Sequence, residues 1–165
     1  MHDSAQMLVP LLADQGLFCQ ISEDAAAYCL MASGGFSITI DSLNRLSPNY
    51  VLGLLNSKLL FWRLSSISNV FRGGWITCTK QYVETLPIRP INFSDPANKS
   101  RHDRMVKLVD SMLALHKQHS EAKSAALKEI IQRQIHATDA EIDRLIYELY
   151  GLTDDEIKIV QEGTK

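Results

Sequence analysis

The chain has 165 residues, with 17 Lys and Arg against 19 Asp and Glu and a formal net charge of −2. This balance excludes a histone-like polycation, and 45% apolar residues are enough to fill the core of one domain. No apolar run approaches the ~20 residues that span a bilayer, and the N-terminus has no basic secretory region. We therefore expect a folded, cytoplasmic protein with reduced cysteines.

The charge is unevenly distributed along the chain. Residues 1–41 contain five acids and no Lys or Arg, whereas residues 42–91 contain six bases and one acid, Glu84. Residues 92–165 are nearly balanced, with eleven bases and thirteen acids. The middle segment, with a net charge of +5, is therefore where an anionic partner is expected.

Short apolar runs broken by Gly, Ser, Asn and Pro fill the chain up to about Pro90. Strands are predicted at Met7–Leu12, Leu17–Ile21, Ala27–Met31 and Phe36–Ile40, where the last alternates with period two and presents one face to the core. Gly34-Gly35 predicts a turn or bulge before that last strand.

A helix is predicted from Ser47, as N-cap with Pro48 behind it, to about Ser66. The pair Gly73-Gly74 follows it. After that pair we expect a short strand at Trp75–Cys78 and one helical turn at Lys80–Thr85.

Two long helices dominate the chain after Pro90. The first starts at Asp95-Pro96 and carries Met105, Leu108, Met112, Leu115 and His119 at helical spacing. The second follows a break near Lys123-Ser124 and carries Ile131, Ile135, Thr138, Ile142, Leu145 and Leu149. This spacing predicts an antiparallel two-helix coiled coil that ends at Gly151, followed by a short helix, Asp154–Val160, with a Thr153–Glu156 capping box.

These elements predict an α+β fold, in which a small mixed sheet with a packed helix precedes a long antiparallel two-helix coiled coil. Residues 1–91 form the first unit. Residues 92–165 form the second unit, the helical pair with its short C-terminal helix.

The residues show no complete catalytic set. Ser47-Pro48-Asn49-Tyr50 is similar to the tetrapeptide of amino-group DNA methyltransferases, but Asn stands in the third position, and a helix cap is the favoured interpretation. His102, His116 and His119 lack partners that would complete a metal site, so we interpret them as exposed or seam-edge residues of the coiled coil.

The basic middle segment contains residues suited to nucleic acid. Arg45, Lys58, Arg63, Arg72 and Lys80 can contact phosphates, and Asn69, Thr77, Thr79 and Gln81 can contact base edges or the backbone. Phe71 and Trp75 add rigid apolar surface, and the two glycine pairs permit close approach of the main chain. The alternative is a solvated basic face on an ordinary α/β domain.

The motifs YVLGLLNSKLLFWRLSSIS and VFRGGWITCTKQYVETLPI, within Tyr50–Ile88, resemble the C-terminal target recognition domain of Type IIG restriction–modification enzymes and adenine-N6 DNA methyltransferases, the Taq-type specificity domain. The tail DAEIDRLIYELYGLTDDEIKIV and the upstream MLVPLL and YCLMASGGFSI are similar to the same enzymes. The resemblance covers nearly the whole chain.

The resemblance implies a non-catalytic module that reads double-stranded DNA for a separate methyltransferase domain. That missing domain would bind S-adenosylmethionine, and this chain would need no cofactor or metal. Arg72 and Lys80 are expected at phosphates, and Thr79, Gln81 and the Ser33–Gly35 loop near the groove.

Other motif residues are expected to be structural. Tyr82, Leu86 and Pro87 are interpreted as core and turn residues, while Asn56 and Ser57 cap a helix or bond across to the strands. The complete candidate set for DNA binding is Ser33, Gly34, Gly35, Arg45, Lys58, Arg63, Arg72, Gly73, Gly74, Thr77, Thr79, Lys80 and Gln81.

The resemblance leaves a rival open. In the rival, the chain is a protein–protein interaction module, in which the helical pair forms a homodimer or docks to a methyltransferase or nuclease subunit.

Overall fold

The structure, a computed structural model, describes residues 7–14, 18–21, 35–40 and 46–164, with the backbone but not the side chain of Arg72. It confirms the α+β class. The strands are β1 (Met7–Pro10), β2 (Leu12–Ala13), β3 (Cys19–Gln20), β4 (Gly35–Ile38) and β5 (Ile76–Thr77). The helices are α1 (Pro48–Leu55), α2 (Lys58–Ile67), α3 (Lys80–Val83), α4 (Pro96–Glu121), α5 (Ala125–Tyr150) and α6 (Asp154–Gly163), with a 3-10 turn at Arg72–Gly74.

The described strands form two antiparallel sheets, in the orders β3-β1-β4 and β2-β5, where one mixed sheet was predicted. The predicted strand Met7–Leu12 divides at Leu11. Proline at position 10 has no N–H to donate, and the Leu11 carbonyl accepts a hydrogen bond from the Cys78 N–H at 2.8 Å. The chain therefore passes from the first sheet to the second at this point.

The predicted strand Phe36–Ile40 is confirmed in part, because β4 covers Gly35–Ile38. Phe36, Ile38 and Ile40 pack against the core, as the period-two alternation predicts. A Cβ on Gly35 would lie 2.3 Å from the Val9 carbonyl oxygen, so close strand packing requires glycine there. The predicted strand Ala27–Met31 and the residue Gly34 lie outside the described residues.

The predicted single helix from Ser47 to Ser66 is wrong, because the chain breaks at Asn56-Ser57 into α1 and α2. The Asn56 side chain accepts from the Phe18 N–H and donates to the Phe18 carbonyl, both at 2.9 Å. Ser57 caps α2, since its hydroxyl accepts from the Leu60 N–H and donates to the Leu54 carbonyl. The prediction that these two residues cap a helix or bond to the strands is confirmed.

The other predicted helix ends are largely confirmed. Asp95 caps α4, Gly151 ends α5 in the left-handed conformation with φ 68°, and Thr153 and Glu156 form the reciprocal capping box of α6. Ser124 occupies the N-cap position of α5 without a capping hydrogen bond from its side chain. The last helix extends to Gly163, three residues beyond the predicted Val160.

The helices α4 and α5 have 26 residues each and pack as the predicted antiparallel pair. Arg104, in the first half of α4, donates to Glu141, in the second half of α5, at 2.9 Å. At the opposite end, Met112 of α4 packs on the small cluster that contains Ile131 and Ile135.

The pair is also part of the main core. One continuous cluster of buried residues contains Tyr50 and Leu54 of α1, Met105 of α4 and Ile146 of α5, each at most 1% exposed. The start of α4 and the end of α5 therefore form a second layer behind α1 and α2. None of the helices in the described residues is long and apolar enough to cross a membrane.

His102 corrects the interpretation of the histidines as exposed or seam-edge residues. It is only 7% exposed and packs against the rings of Tyr50 and Phe93, with ring centroids 5.0 and 5.1 Å apart. Its Nε2 accepts from the Ser47 N–H at 3.3 Å, which assigns the ring proton to Nδ1, beside Asp103. The side chain thus ties the start of α1 to α4, while His116 is exposed and His119 half-buried.

Gly53 provides a test of the α1–α4 contact. A Cβ there would lie 2.8 Å from the Met105 sulfur and 2.9 Å from Val109 Cγ2. We expect Gly53→Val to lower the free energy of unfolding by about 1–3 kcal/mol, because the two helices must separate to admit the side chain. Urea unfolding followed by circular dichroism measures the change.

The control for this test is Ala137→Val, which adds a β-branched side chain at an exposed position of α5. Its expected cost is a few tenths of a kcal/mol. Equal stabilities of the two variants would show that α1 and α4 are not in close contact at Gly53.

Candidate nucleic-acid interface

Residues Asn69–Thr77, between α2 and α3, form a tight antiparallel hairpin. The Thr77 N–H donates to the Asn69 carbonyl at 3.0 Å, and Val70 pairs with Ile76. The tip turns through Gly73 and Gly74, whose φ angles of 79° and 85° favour glycine over other residues. We call residues 69–77 the aromatic hairpin.

The aromatic hairpin presents apolar side chains to solvent. Val70 is 70% exposed, Phe71 is 56% exposed and Trp75 is 38% exposed. Ile76, by contrast, is buried at 3%, and β5 is bonded to β2, so the base of the hairpin is fixed in the core.

Four of the predicted DNA-binding residues lie on either side of this hairpin. Arg63 is exposed on α2, before the hairpin, and Lys80 and Gln81 are exposed at the start of α3, after it. Arg63 and Lys80 form no ion pair with any described residue. The Thr79 hydroxyl is buried and has no hydrogen-bond partner among the residues that the structure describes.

Several other residues predicted to bind DNA either have structural roles or lie outside the described part of the chain. The Thr77 hydroxyl donates to the Asn69 carbonyl at 3.4 Å, within the aromatic hairpin. Ser33, Gly34 and Arg45 lie outside the described residues, as does the side chain of Arg72. Gly35 is located in β4, where strand packing accounts for it.

Lys58 has a structural partner that the sequence did not reveal. Its ammonium lies 3.1 Å from Oδ2 of Asp143, and its backbone N–H donates to Oδ1 of the same carboxylate at 3.0 Å. The Asp143 side chain is 5% exposed, whereas that of Lys58 is 45% exposed. Lys58 therefore anchors α2 to α5, and part of its charge is neutralised within the protein.

Asp139 lies one helical turn before Asp143. Burial, together with the nearby charge of Asp143, raises the pKa of the Asp139 carboxyl above its ordinary value, and Lys58 opposes this shift. Burial and the same two carboxylates raise the pKa of Tyr147 to about 12.

The Ser47-Pro48-Asn49-Tyr50 segment is confirmed as a helix cap. The Ser47 hydroxyl accepts from the Asn49 N–H, and Pro48 occupies the first turn. Tyr50 is 1% exposed, and its hydroxyl donates to the Arg89 carbonyl at 3.0 Å, so its ring is not free to stack on a base. Burial raises the pKa of the Tyr50 hydroxyl far above its ordinary range.

Three further residues of the motif region have structural roles. Leu86 is 6% exposed, and the Pro87 carbonyl accepts a hydrogen bond from the Tyr150 hydroxyl at 2.5 Å. Tyr82 is half-buried against the core.

In the described ranges, no group of three or more His, Cys, Asp or Glu side chains is arranged to hold a metal ion.

The Asp143 carboxylate can be tested by substitution. Asp143→Ala removes the acceptor of the Lys58 N–H at the start of α2 and leaves the Lys58 ammonium without its partner. We therefore expect the free energy of unfolding to fall by about 1–3 kcal/mol. Glu129→Ala is the matched control, because it breaks the exposed Glu129–Arg133 pair and is expected to cost less than about 0.5 kcal/mol. Chemical denaturation of both variants measures the difference, which should be absent if Asp143 is not structural.

Asp139 gives a pH-dependent prediction. Its raised pKa means that the folded state holds the proton more tightly than the unfolded chain, so stability falls as the pH rises through the ordinary Asp range towards the raised value. The variant Asp139→Asn has no carboxyl group at this position, so its stability does not fall with pH for this reason. We expect its stability relative to the original chain to increase from about pH 4 to about pH 7, as measured by urea unfolding at each pH. A constant difference would contradict the shift.

Comparison with known proteins finds similarity to a restriction–modification enzyme. The chain is 28% identical over 175 aligned positions to the Type II restriction enzyme and methyltransferase RM.Eco57I of Escherichia coli. The match includes 98% of this chain but spans only 17% of that enzyme's length. No protein-family profile matches the chain, and no solved structure matches it. The similarity links the chain to restriction–modification systems.

Proposed function

We propose that the chain is a sequence-specific module for double-stranded DNA, serving the adenine-N6 methyltransferase of a restriction–modification enzyme. The observation that carries this proposal is the aromatic hairpin, which Arg63 precedes and Lys80 follows along the chain, both exposed and without an ion pair to any described residue. The similarity to RM.Eco57I supports the enzyme class, and the resemblance of the central motifs supports the recognition role.

The electrostatics favour a polyanionic partner at this end of the fold. Residues 42–91 carry six bases and one acid. Two of those bases, on the helices before and after the hairpin, are exposed and form no ion pair within the part of the chain that the structure describes. Each base that meets a phosphate releases condensed counterions, so binding should weaken steeply with salt. Because few bases are available, we propose weak affinity for the isolated chain.

The proposed division of labour places chemistry outside this chain. The methyltransferase-like tetrapeptide is a helix cap, and its tyrosine is buried. S-adenosylmethionine would bind to a separate methyltransferase domain, with or without an associated nuclease. In this scheme residues 1–91 recognise DNA, and residues 92–165 dock the catalytic partner.

A second candidate function is protein–protein interaction through the helical pair. Leu127 and Ile130 of α5 are 47% and 50% exposed near the turn between α4 and α5. Exposed apolar side chains at the end of a helical pair are suited to self-association or to docking on another subunit. In this alternative the basic segment is an ordinary solvated face.

DNA binding can be tested by titrating a short random-sequence duplex with the whole chain at low and moderate salt. We expect saturable binding whose logarithmic salt slope falls by about 1 for each of Arg63→Ala and Lys80→Ala, because each substitution removes one phosphate contact. Fluorescence anisotropy measures both affinity and slope.

The matched controls are Lys117→Ala and Lys128→Ala, which remove exposed bases from the helical pair. These variants should retain the affinity of the original chain. Absence of binding at low salt would refute the proposal. A concentration-dependent dimer in light scattering, lost in Leu127→Ser plus Ile130→Ser, would instead support the interaction alternative.

A further inference from the structure

We propose that the aromatic hairpin is a wedge that inserts Phe71 and Trp75 against the base stack of a duplex, at a step that the bound protein opens. This inference rests on the proposed DNA binding and goes beyond it, because it assigns the hairpin a role in deforming the duplex.

The first argument is the exposure of apolar surface on an ordered support. Val70, Phe71 and Trp75 are exposed although Ile76, two positions after the second glycine, is buried. The hairpin has its own backbone hydrogen bonds, and the N–H of the next residue, Cys78, donates to the Leu11 carbonyl. An apolar surface held in one shape loses little conformational entropy when it meets a partner.

The second argument is the shape of the tip. Gly73 and Gly74 have no side chains, and a Cβ placed on Gly74 would meet no atom within 4 Å. The Trp75 indole lies over the turn, with its Cδ1 atom 3.6 Å from the position of a Cβ on Gly73. The tip is therefore narrow, with an aromatic ring at its edge. A two-stranded ribbon of this kind is of a size that enters a DNA groove.

The third argument is the charge around the hairpin, which decides between DNA and an apolar protein surface. Arg63 precedes the hairpin and Lys80 follows it, both exposed and without an ion pair within the described ranges. Exposed apolar residues with exposed cations on the helices before and after them in the chain suit a duplex, in which stacked bases lie between two phosphate chains. DNA-bending proteins insert apolar side chains between base steps in this way.

A wedge makes a prediction that does not depend on the recognised sequence. Separating two stacked bases is easier where stacking is already interrupted, so a wedge protein binds such a duplex more tightly. The experiment compares a matched duplex with the same duplex carrying one central abasic site, using fluorescence anisotropy and the whole chain. We expect a preference of about tenfold for the abasic duplex, from one aromatic–base contact.

The variants separate the wedge from general DNA binding. Phe71→Ala plus Trp75→Ala should abolish the preference and leave the salt slope unchanged, because no phosphate contact is removed. Trp75→Phe should retain the preference, since it keeps an aromatic ring. Ile130→Ala is the matched control, because it removes a side chain of similar exposure, 50%, from the start of α5, near the turn of the helical pair. Thermal melting confirms that each variant is folded.

The outcomes are distinguishable. If the original chain binds both duplexes equally, or if the double alanine variant retains the preference, the wedge is refuted while DNA binding stands. If the original chain binds neither duplex at low salt, both the wedge and the proposed function are refuted. Loss of preference in Ile130→Ala would also overturn the assignment to the hairpin.

Discussion

The buried carboxylate of Asp143 is the interaction on which the arrangement of the two halves depends. It accepts a hydrogen bond from the first N–H of α2 and meets the ammonium of the same residue, Lys58. A carboxylate with so little exposure is stable only because both partners are present. Because Asp143 belongs to α5, it joins α2 to the helical pair.

The aromatic hairpin is connected directly to α2, which the Asp143–Lys58 contact holds against α5. The chain leaves α2 at Ile67 and enters the hairpin two residues later, so α2 holds one end of the hairpin and the pairing of β5 with β2 holds the other. Asn56, which ends α1 immediately before α2, is held by two hydrogen bonds to the main chain of Phe18. The proposed DNA-contacting surface is thus oriented by polar groups that do not themselves lie on it.

Local features of the fold could be predicted from the sequence with good accuracy. Ser47, Asp95 and the Thr153–Glu156 box cap their helices as predicted, because each depends on groups within a few residues along the chain. The spacing of apolar residues likewise predicted the pairing of α4 with α5.

The features that sequence did not predict depend on distant partners. The break at Asn56 requires Phe18, and the burial of His102 requires Tyr50 and Phe93. Among the candidate site residues, Lys58 and Arg63 look alike in the sequence, five residues apart. Only the fold shows that Lys58 is paired with a buried carboxylate, while Arg63 is exposed and has no ion pair among the described residues.

The helical pair has a small cluster of its own at the turn, formed by Ala122, Ile131 and Ile135 and separate from the main core. Such a cluster contributes far less apolar burial than the core does, so the turn can open while the remainder of the molecule stays folded. Amide hydrogens there should exchange with solvent through local opening. Those around Met105 and Ile146 should exchange only when the whole chain unfolds. The turn of the helical pair is therefore expected to open more readily than the layer that contains Met105 and Ile146.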